Sequence, residues 1–429
     1  MIKYSNSLCA RHGCGKAVPP HWRRNNRSVG MAPVVDSKVK GVCGLGDPVM
    51  DILANVSHEF LVNDVTKEPG GCIPVDGPTM DKLIEVTSKH SKLTSGPGGS
   101  AANVMKGVAN ISQGQLLCKF AGMIGDDETG QQYKSKLASE HVEPLLLVSS
   151  SGAPSASCLC LVTPDGQRTM RTCLGASLEL KSAEQVPSSW HEGIQLLHCE
   201  GYCLYRPQLA KQMTQAAREH GAIVSMDLAS FEFLPHNSAP TQCLTAMSMQ
   251  MDAESEEEQI GTLFVRIGTL QGGFWGCEWR RKGWQALLRS KEEQGPFPLC
   301  IEGVVSLAHG LPGPGPASKD EKVKAVQDFL LQHVKVSVVS LGPQGCVARS
   351  SSGEVGSSPA QKVKVVDTCS AGDMFTSGFL YAYLHGASLE RCAAAGCAAG
   401  AEAVQVKGAN ISTPGWERLR STIQGILQS

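Results

Sequence analysis

Short apolar runs alternate along this chain with segments of helical period. The apolar runs predict strands at residues 39–45, 119–124, 195–199, 222–227, 334–341 and 363–366. Helical spacing predicts helices at 100–112, 131–142 and 207–220, and a long Ala/Gly-rich helical region from Gly372 onward. Two further runs, 157–163 and 168–174, flank a Pro-Asp-Gly turn and predict a β-hairpin. Strands that alternate with helices indicate a mostly parallel α/β sheet, which binds ligands at the carboxyl ends of its strands.

One long stretch breaks this pattern. Residues 235–320 show no sustained helical or strand period, although they contain Trp275, Trp279 and Trp284 and an acidic run at 255–258. A structureless segment of this length is uncommon inside a compact domain. We therefore expect either a functional insertion or a mis-spliced stretch such as a translated intron, and we favour the second interpretation.

The N-terminus differs in composition from the rest. Residues 1–35 contain six Lys or Arg residues, and the first acid is Asp36. This composition is typical of an organelle transit peptide, but a disordered tail or a true start at Met31 explains it equally well. We predict that 1–38 is disordered or a transit peptide and that 39–429 is the folded domain. A plastid or another organelle is favoured, with the cytoplasm as the alternative.

Charge and composition exclude several classes of protein. The chain has 39 Lys and Arg against 40 Asp and Glu, which argues against a nucleic-acid partner. With 41% apolar residues it can bury a core, yet no apolar run reaches the roughly 18 residues that would cross a membrane. Seventeen cysteines without any C-x-x-C favour reduced, packed thiols over a disulfide framework or a zinc site.

The strongest chemical signal is the segment Val366-Asp367-Thr368-Cys369-Ser370-Ala371-Gly372-Asp373. A turn of small residues before a helix leaves backbone N–H groups that can cradle an anion, helped by the helix dipole. Asp373, just inside that helix, is placed to accept a proton from a hydroxyl that attacks a phosphoryl group. Two other interpretations stay open: Asp367 or Thr368 as a simple helix cap, and a hydrolase elbow that lacks its first glycine.

Two further segments suggest a ligand with several hydroxyls. The Gly-rich run 96–103 opens a helix and presents the amide of Asn103, although its G-x-G-x-x-A spacing also weakly matches a dinucleotide fingerprint. Asp47 and Asp51 follow the first strand, and carboxylates accept hydrogen bonds from vicinal hydroxyls. Ordinary turn and cap chemistry at Asp47-Pro48 is the alternative.

Together these segments resemble the ribokinase-like, or PfkB, family of carbohydrate and nucleoside kinases. Gly98-Gly99-Ser100-Ala101-Ala102-Asn103 is similar to the first family signature, and 367–373 is similar to the second, D-T-x-G-A-G-D. Residues 124–130 resemble the G-x-I/V-G-x-D-x-x-G segment, and 46–52 resemble the adenosine-kinase type G-N-P-L-L-D-I with aspartate at position 47. The resemblance covers roughly 39–234 and 321–429.

The resemblance implies a three-layer α/β/α sandwich with a small β lid built from about 55–75 and 157–174. It also implies ATP- and Mg²⁺-dependent phosphorylation of a hydroxymethyl group, with Asp373 as general base. The implied anion hole is the backbone of Ser370, Ala371, Gly372 and Asp373. The implied acceptor ligands are Asp47, Asp51, Gly98, Gly99 and Asn103. The implied ATP contacts are Thr368, Gly342 and Gly345. A monovalent cation such as K⁺ would lie at Asp367, Cys369, Ala403, Val406, Gly408 and Ser412.

Two departures from the family pattern matter. Ser370 replaces the first glycine of the second signature, which costs about 1 kcal/mol if the position needs a positive φ. The N-x-x-E motif that helps to organise Mg²⁺ is absent after Asp227, since Asn237 is followed by Pro240 where the glutamate should stand. We therefore hypothesise that a helix and a strand have been lost from 235–320.

The acceptor stays open between adenosine-like and ribose- or fructose-like molecules. Arg168 and Arg171 place positive charge near the predicted lid, and we interpret them as a solvated hairpin edge rather than as a phosphate contact. A catalytically silent PfkB-like scaffold or regulatory protein in an organelle is the alternative function. The expected partner is a small-molecule sugar or nucleoside, and both a monomer and a homodimer stay open.

Overall fold

The computed structural model describes residues 41–66, 69–165, 167–227, 263–267, 319–332, 334–408 and 410–429. The predicted transit peptide or tail at 1–38 and most of the 235–320 stretch lie outside the described residues. Among the described residues, no helix is both long and apolar enough to cross a bilayer.

Two sheets and a set of helices make up the described fold. The strands are β1 Gly41–Leu45, β2 Met50–Asn55, β3 Cys72–Pro74, β4 Thr94–Pro97, β5 Leu117–Ile124, β6 Val142–Val148, β7 Ser157–Val162, β8 Arg168–Cys173, β9 Leu196–Glu200, β10 Ile223–Asp227, β11 Leu263–Ile267, β12 Val336–Ser340, β13 Cys346–Ser350 and β14 Val355–Ser358. The helices are α1 His58–Phe60, α2 Gly77–His90, α3 Ser100–Ile111, α4 Glu128–Ser139, α5 Pro207–Glu219, α6 Lys319–Leu330, α7 Ala371–Leu384, α8 Leu389–Ala403 and α9 Thr413–Gln428.

The main sheet of the described residues has the order β14-β13-β12-β11-β10-β9-β1-β5-β6. Every neighbouring pair from β12 to β6 is parallel, and β13 and β14 add an antiparallel edge. The carboxyl ends of the parallel strands therefore share one edge of the sheet.

Helices cover both faces of the main sheet, as the alternation along β1 requires. Val42 packs into a core with α3, α7, α8 and α9, whereas Cys43 and Leu45 pack into a second core with α5. Both cores are fully buried at β1, where all three side chains have no exposed surface. The architecture is the predicted three-layer α/β/α sandwich.

A smaller sheet, here called the lid sheet, has the order β3-β8-β7-β2-β4. One face, with Leu159 and Leu161 of β7, packs on Phe60 and Met80. Cys158 and Cys160 of the same strand belong to a separate cluster. The hairpin predicted around 164–166 is confirmed as the antiparallel pair β7–β8.

Three local predictions are corrected. Val363–Val366 forms no strand: Val365 and Val366 are exposed, and the segment is held by hydrogen bonds from the N–H groups of Val366 and Asp367 to the carbonyl of Val404. Residues 263–267, which lie in the stretch without a sequence period, form the strand β11, paired in parallel with β10 and β12. The lid sheet also includes β2 and β4, beyond the segments predicted for it.

Candidate active site

Asp373 lies in the first turn of α7, which begins at a strained residue. Ser370 caps this helix with φ 52° and ψ 5°, the left-handed conformation that glycine adopts freely. A first helical turn leaves backbone N–H groups without intrahelical partners. These N–H groups and the helix dipole make the 370–373 segment suitable for binding a phosphate.

Replacing Ser370 by glycine should stabilise the protein. A non-glycine residue in the left-handed region costs about 1–2 kcal/mol of stability. Ser370→Gly removes this cost but also loses the hydrogen bond from Ser370 Oγ to the carbonyl of Cys369, so the net gain in the free energy of unfolding should be up to about 1 kcal/mol. Ser370→Ala is the matched control, because it removes the hydroxyl but keeps the Cβ. Chemical denaturation should rank Gly above Ser above Ala, and a glycine variant no more stable than the alanine variant would contradict the assignment of strain.

Both carboxylate oxygens of Asp373 are held by α3. Ser100 Oγ donates to Oδ1 at 2.9 Å, and Asn103 Nδ2 donates to Oδ2 at 2.9 Å. The two signature segments, 270 residues apart in sequence, therefore meet in one site. Asn103 is buried, and its Oδ1 has no hydrogen-bond partner among the described residues. A buried acceptor without a partner is suited to a ligand hydroxyl.

Gly98 and Gly99 allow the chain before α3 to pass close to the two N-terminal aspartates. A Cβ on Gly98 would collide with the carboxylate of Asp51, and a Cβ on Gly99 would collide with the carbonyl of Asp47. Gly99 also has φ 89°, which disfavours any other residue. The backbone groups of Gly98 are already used, since its N–H donates to Val49 and its carbonyl accepts from the Tyr133 hydroxyl.

Asp51 lies on β2, where several charges surround its carboxylate. Burial is the main cause that raises the pKa of Asp51 to about 6; the positive charge of Lys106 opposes the shift, and the charge of Asp373 adds to it. Burial and neighbouring charges, with no hydrogen bond from the described part of the chain, set the direction of this shift. Lys106 itself is buried, and burial lowers its pKa while its ammonium group donates to the carbonyl of Pro97 at 2.8 Å.

Asp47 belongs to a buried ionic network that sequence reasoning missed. Arg206 donates to Asp47 Oδ1 at 2.5 Å, and both side chains are almost fully buried. Glu200, at the end of β9, accepts from the N–H groups of Asp47 and Ala101, each at 2.8 Å. Burial, reinforced by the charge of Asp47, raises the pKa of Glu200 to about 8. No motif marks Glu200 or Arg206, and only the parallel pairing of β9 with β1 brings them to this loop.

Arg168 also reaches the site, and the interpretation of a solvated hairpin edge is wrong. Its guanidinium forms an ion pair with Asp367 in which both side chains are largely buried, and Arg171 is 5% exposed. Asp367 also accepts from the N–H groups of Cys369 and Gly408, at 3.0 and 2.8 Å. Arg168 therefore connects the lid sheet to the segment that precedes α7.

The six positions predicted for a monovalent cation are only partly brought together. Asp367, Cys369 and Gly408 are linked by hydrogen bonds, and the carbonyl of Ala403 accepts from Val406. Ser412 instead caps α9. Because Arg168 already supplies a positive charge to Asp367, K⁺ at this place stays a prediction without support from the geometry.

The predicted nucleotide loop forms the turn between β12 and β13. Gly342 and Gly345 both have positive φ, of 58° and 91°, and a Cβ on Gly345 would collide with the carbonyl of Ser358. The turn lies at the carboxyl end of parallel β12, the sheet edge that also carries Asp47 and Glu200. Thr368, the third predicted ATP contact, is exposed beside the start of α7.

Comparison with known proteins decides the family. A model of the pfkB family of carbohydrate kinases matches residues 73–246 and 306–416, well over half of the chain. The chain belongs to the pfkB family. The unmatched residues 247–305 fall inside the stretch that looked anomalous in the sequence. As a pfkB member the protein is a kinase of the sugar and nucleoside class, and the family uses ATP.

Individual relatives are similar at modest identity. The chain is 38% identical over 81 residues to an uncharacterized sugar kinase of Archaeoglobus fulgidus, a match that spans only 32% of that protein and 19% of this one. It is 23% identical over 382 residues to adenosine kinase 1 of Arabidopsis thaliana, covering 94% of that protein and 85% of this chain. The structure of adenosine kinase from Schistosoma mansoni in complex with 2-fluoroadenosine superposes with a TM-score of 0.67 at 18% identity, covering 99% of that chain and 88% of this one. That likeness concerns the fold.

Proposed function

We propose that this pfkB protein transfers the γ-phosphoryl group of ATP to a hydroxymethyl group of a sugar or nucleoside, with Asp373 as the general base. The observation that carries the proposal is the contact between the two signatures, in which Ser100 and Asn103 hold both oxygens of Asp373 at the start of α7. A base, an anion-binding helix start and an unpaired acceptor atom then lie in one hydrogen-bonded cluster.

The reaction follows from these positions. The acceptor's hydroxymethyl oxygen bonds to the γ-phosphorus while the bond from that phosphorus to the bridging oxygen breaks and ADP leaves. Asp373 takes the hydroxyl proton. The backbone N–H groups of 370–373 stabilise the charge on the transferring group, as preorganised donors do in phosphoryl transfer.

Asp51 and Asn103 are proposed to orient the acceptor. No hydrogen bond from the described residues contributes to the pKa of Asp51, and Asn103 Oδ1 is a buried acceptor without a partner among those residues. Two acceptors side by side suit a ligand with vicinal hydroxyls. Asp47 already accepts from Arg206 through Oδ1, so its direct contact with the acceptor stays a prediction.

Acceptor binding should weaken in acid because of Asp51. Its pKa of about 6 means that the carboxylate is ionised above pH 6 and protonated below it, when it loses acceptor capacity. The KM for the acceptor should therefore rise as the pH falls through 6. Asp51→Asn should show a raised KM without this inflection, and initial rates measured from pH 5 to 8 test both expectations. An inflection near pH 6 that persists in Asp51→Asn would assign it to another group.

The proposal is tested with ATP, Mg²⁺ and a panel of adenosine, ribose, fructose and related sugars. Turnover that depends on one acceptor would support the kinase and identify its substrate. The second candidate, a catalytically silent scaffold, is favoured by serine at position 370 and by the missing N-x-x-E motif. A folded protein that binds ATP but turns over no acceptor would favour that candidate.

A further inference from the structure

Two cysteines and a carboxylate converge on the inner face of the lid sheet. Cys158 and Cys160 occupy alternate positions of β7 and therefore lie on one face, and Asp51 on β2 is the register partner of Cys158. The two Sγ atoms are 3.6 Å apart. One carboxylate oxygen of Asp51 and both sulfurs lie within 4.8 Å of one another, and no other such group of three occurs in the part of the chain that the structure describes.

This arrangement matches the donor set of a zinc ion. Zn–S bonds of about 2.3 Å in a tetrahedral site place two sulfurs about 3.8 Å apart, close to the separation found here. Thiolate ligands select Zn²⁺ over Mg²⁺. No hydrogen bond from the described residues contributes to the pKa of Asp51, and one of its carboxylate oxygens already lies beside both sulfurs, where it can coordinate an ion.

A neighbouring hydroxyl group hydrogen-bonds to one of the two sulfurs that would coordinate the ion. Thr172 Oγ1 donates to Cys158 Sγ at 3.2 Å. A hydrogen bond of this kind stabilises a thiolate and fixes its direction, as outer ligand partners do at metal sites. The pair Cys158 and Cys160 therefore has Asp51 as a third ligand and Thr172 as an orienting group.

We propose that Asp51, Cys158 and Cys160 form a binding site for Zn²⁺, with its fourth position open; each thiol releases its proton to solvent as its Zn–S bond forms. The thiols are buried, whereas Asp51 is partly exposed, so an ion enters from the side of Asp51. Three protein ligands and one open position are typical of exchangeable or catalytic zinc rather than of closed structural sites.

Zinc at this site would compete with the acceptor for Asp51. That consequence rests on the proposed function, whereas the binding of zinc does not. Zn²⁺ should inhibit phosphorylation competitively with the acceptor, and the Zn²⁺ concentration that gives half-inhibition should rise at least tenfold in Cys160→Ser.

A second pair of cysteines provides the matched control. Cys346 and Cys397 also have their sulfurs 3.6 Å apart and are buried, but no carboxylate joins them among the described residues. If close sulfurs alone bound zinc, both pairs would do so. If buried thiols merely pack as small apolar side chains, neither pair would.

The experiment measures bound Zn²⁺ by competition with a chromophoric chelator. Wild type should bind one more Zn²⁺ than Cys158→Ser or Cys160→Ser, while Cys397→Ser should keep the wild-type stoichiometry. Asp51→Asn keeps both thiols and should weaken the site at least tenfold. Zinc-edge X-ray absorption of the wild type, which needs no variant to fold, should include a component with two sulfur ligands.

Equal zinc stoichiometry in wild type and the folded Cys158 and Cys160 variants would overturn the proposal, as would a wild-type spectrum without a two-sulfur component. If the wild-type protein binds this Zn²⁺, both β7 variants lose it, and the wild type shows no kinase activity, the metal site is upheld and the proposed function is rejected. An active kinase that binds no zinc at these residues would do the reverse.

Discussion

Replacing Asp373 by asparagine is expected to lower kcat by about 10²–10⁴-fold, the usual contribution of a general base. The amide occupies the same volume but cannot take the proton of the attacking hydroxyl. The dissociation constant of the acceptor, measured by calorimetry, should change little, because Asp51 and Asn103 are the residues proposed to bind the acceptor. Initial rates of ADP formation measure the loss.

Asp76→Asn is the matched control for this substitution. Asp76 also stands at the start of a helix, where it caps α2 by accepting from the N–H of Thr79 at 2.9 Å, and asparagine caps a helix as well as aspartate does. This variant should keep the wild-type rate. A kcat for Asp373→Asn within a few-fold of the control would assign the proton transfer to another group.

Removing Arg206 should produce the largest loss of stability. Arg206→Ala leaves Asp47 as a buried carboxylate without its cation, next to the buried Glu200, and breaking a buried ion pair in this way costs about 3–5 kcal/mol. The loss should be read from the free energy of unfolding in urea. The acceptor site should be impaired as well, because the same network holds the loop of Asp47 against the start of α3.

Arg418→Ala is the comparison for the arginine variant. Arg418 pairs with Glu402 through two hydrogen bonds, but its side chain is 60% exposed, so solvent screens the pair and its removal should have little effect. Similar losses in the two variants would show that burial of the Asp47–Arg206 pair does not determine its importance.

The fold was largely predictable because local signals and topology agree. Short apolar runs in the sequence indicated β1, β5, β9, β10 and β12, and the Gly-rich run at 96–103 indicated the start of α3. The error at Val363–Val366 has a physical cause: three valines in four residues favour a strand, yet this segment pairs with no strand of the described residues and bonds instead to Val404. β11 was missed because the sequence of 235–320 shows no sustained strand period.

The site was predictable only where motifs mark it. Asp373, Asn103 and Gly99 stand in signatures, and the structure brings them together. Glu200, Arg206 and Lys106 carry no motif, since their positions depend on which strands are neighbours. The C-x-C spacing of Cys158 and Cys160 is not a zinc signature in sequence, and only the pairing of β7 with β2 adds the third ligand.

Ser370 is a position that both the sequence and the structure mark as unusual. The sequence marked it as a departure from the family pattern, and the structure places it in the left-handed conformation that makes the departure costly. The helix start nevertheless forms, and the hydrogen bond from Ser370 Oγ to the carbonyl of Cys369 at 2.6 Å offsets part of the cost. The anion hole is thus expected to function with serine in place of glycine.

Phosphorus NMR of the product formed from ATP and the preferred acceptor is the most direct test of phosphoryl transfer to a hydroxymethyl group. The expected spectrum contains a new phosphate ester whose phosphorus couples to two methylene protons, and this signal should be absent with Asp373→Asn. A folded, ATP-binding protein that forms no ester, or an ester on a secondary hydroxyl, would contradict the proposed reaction.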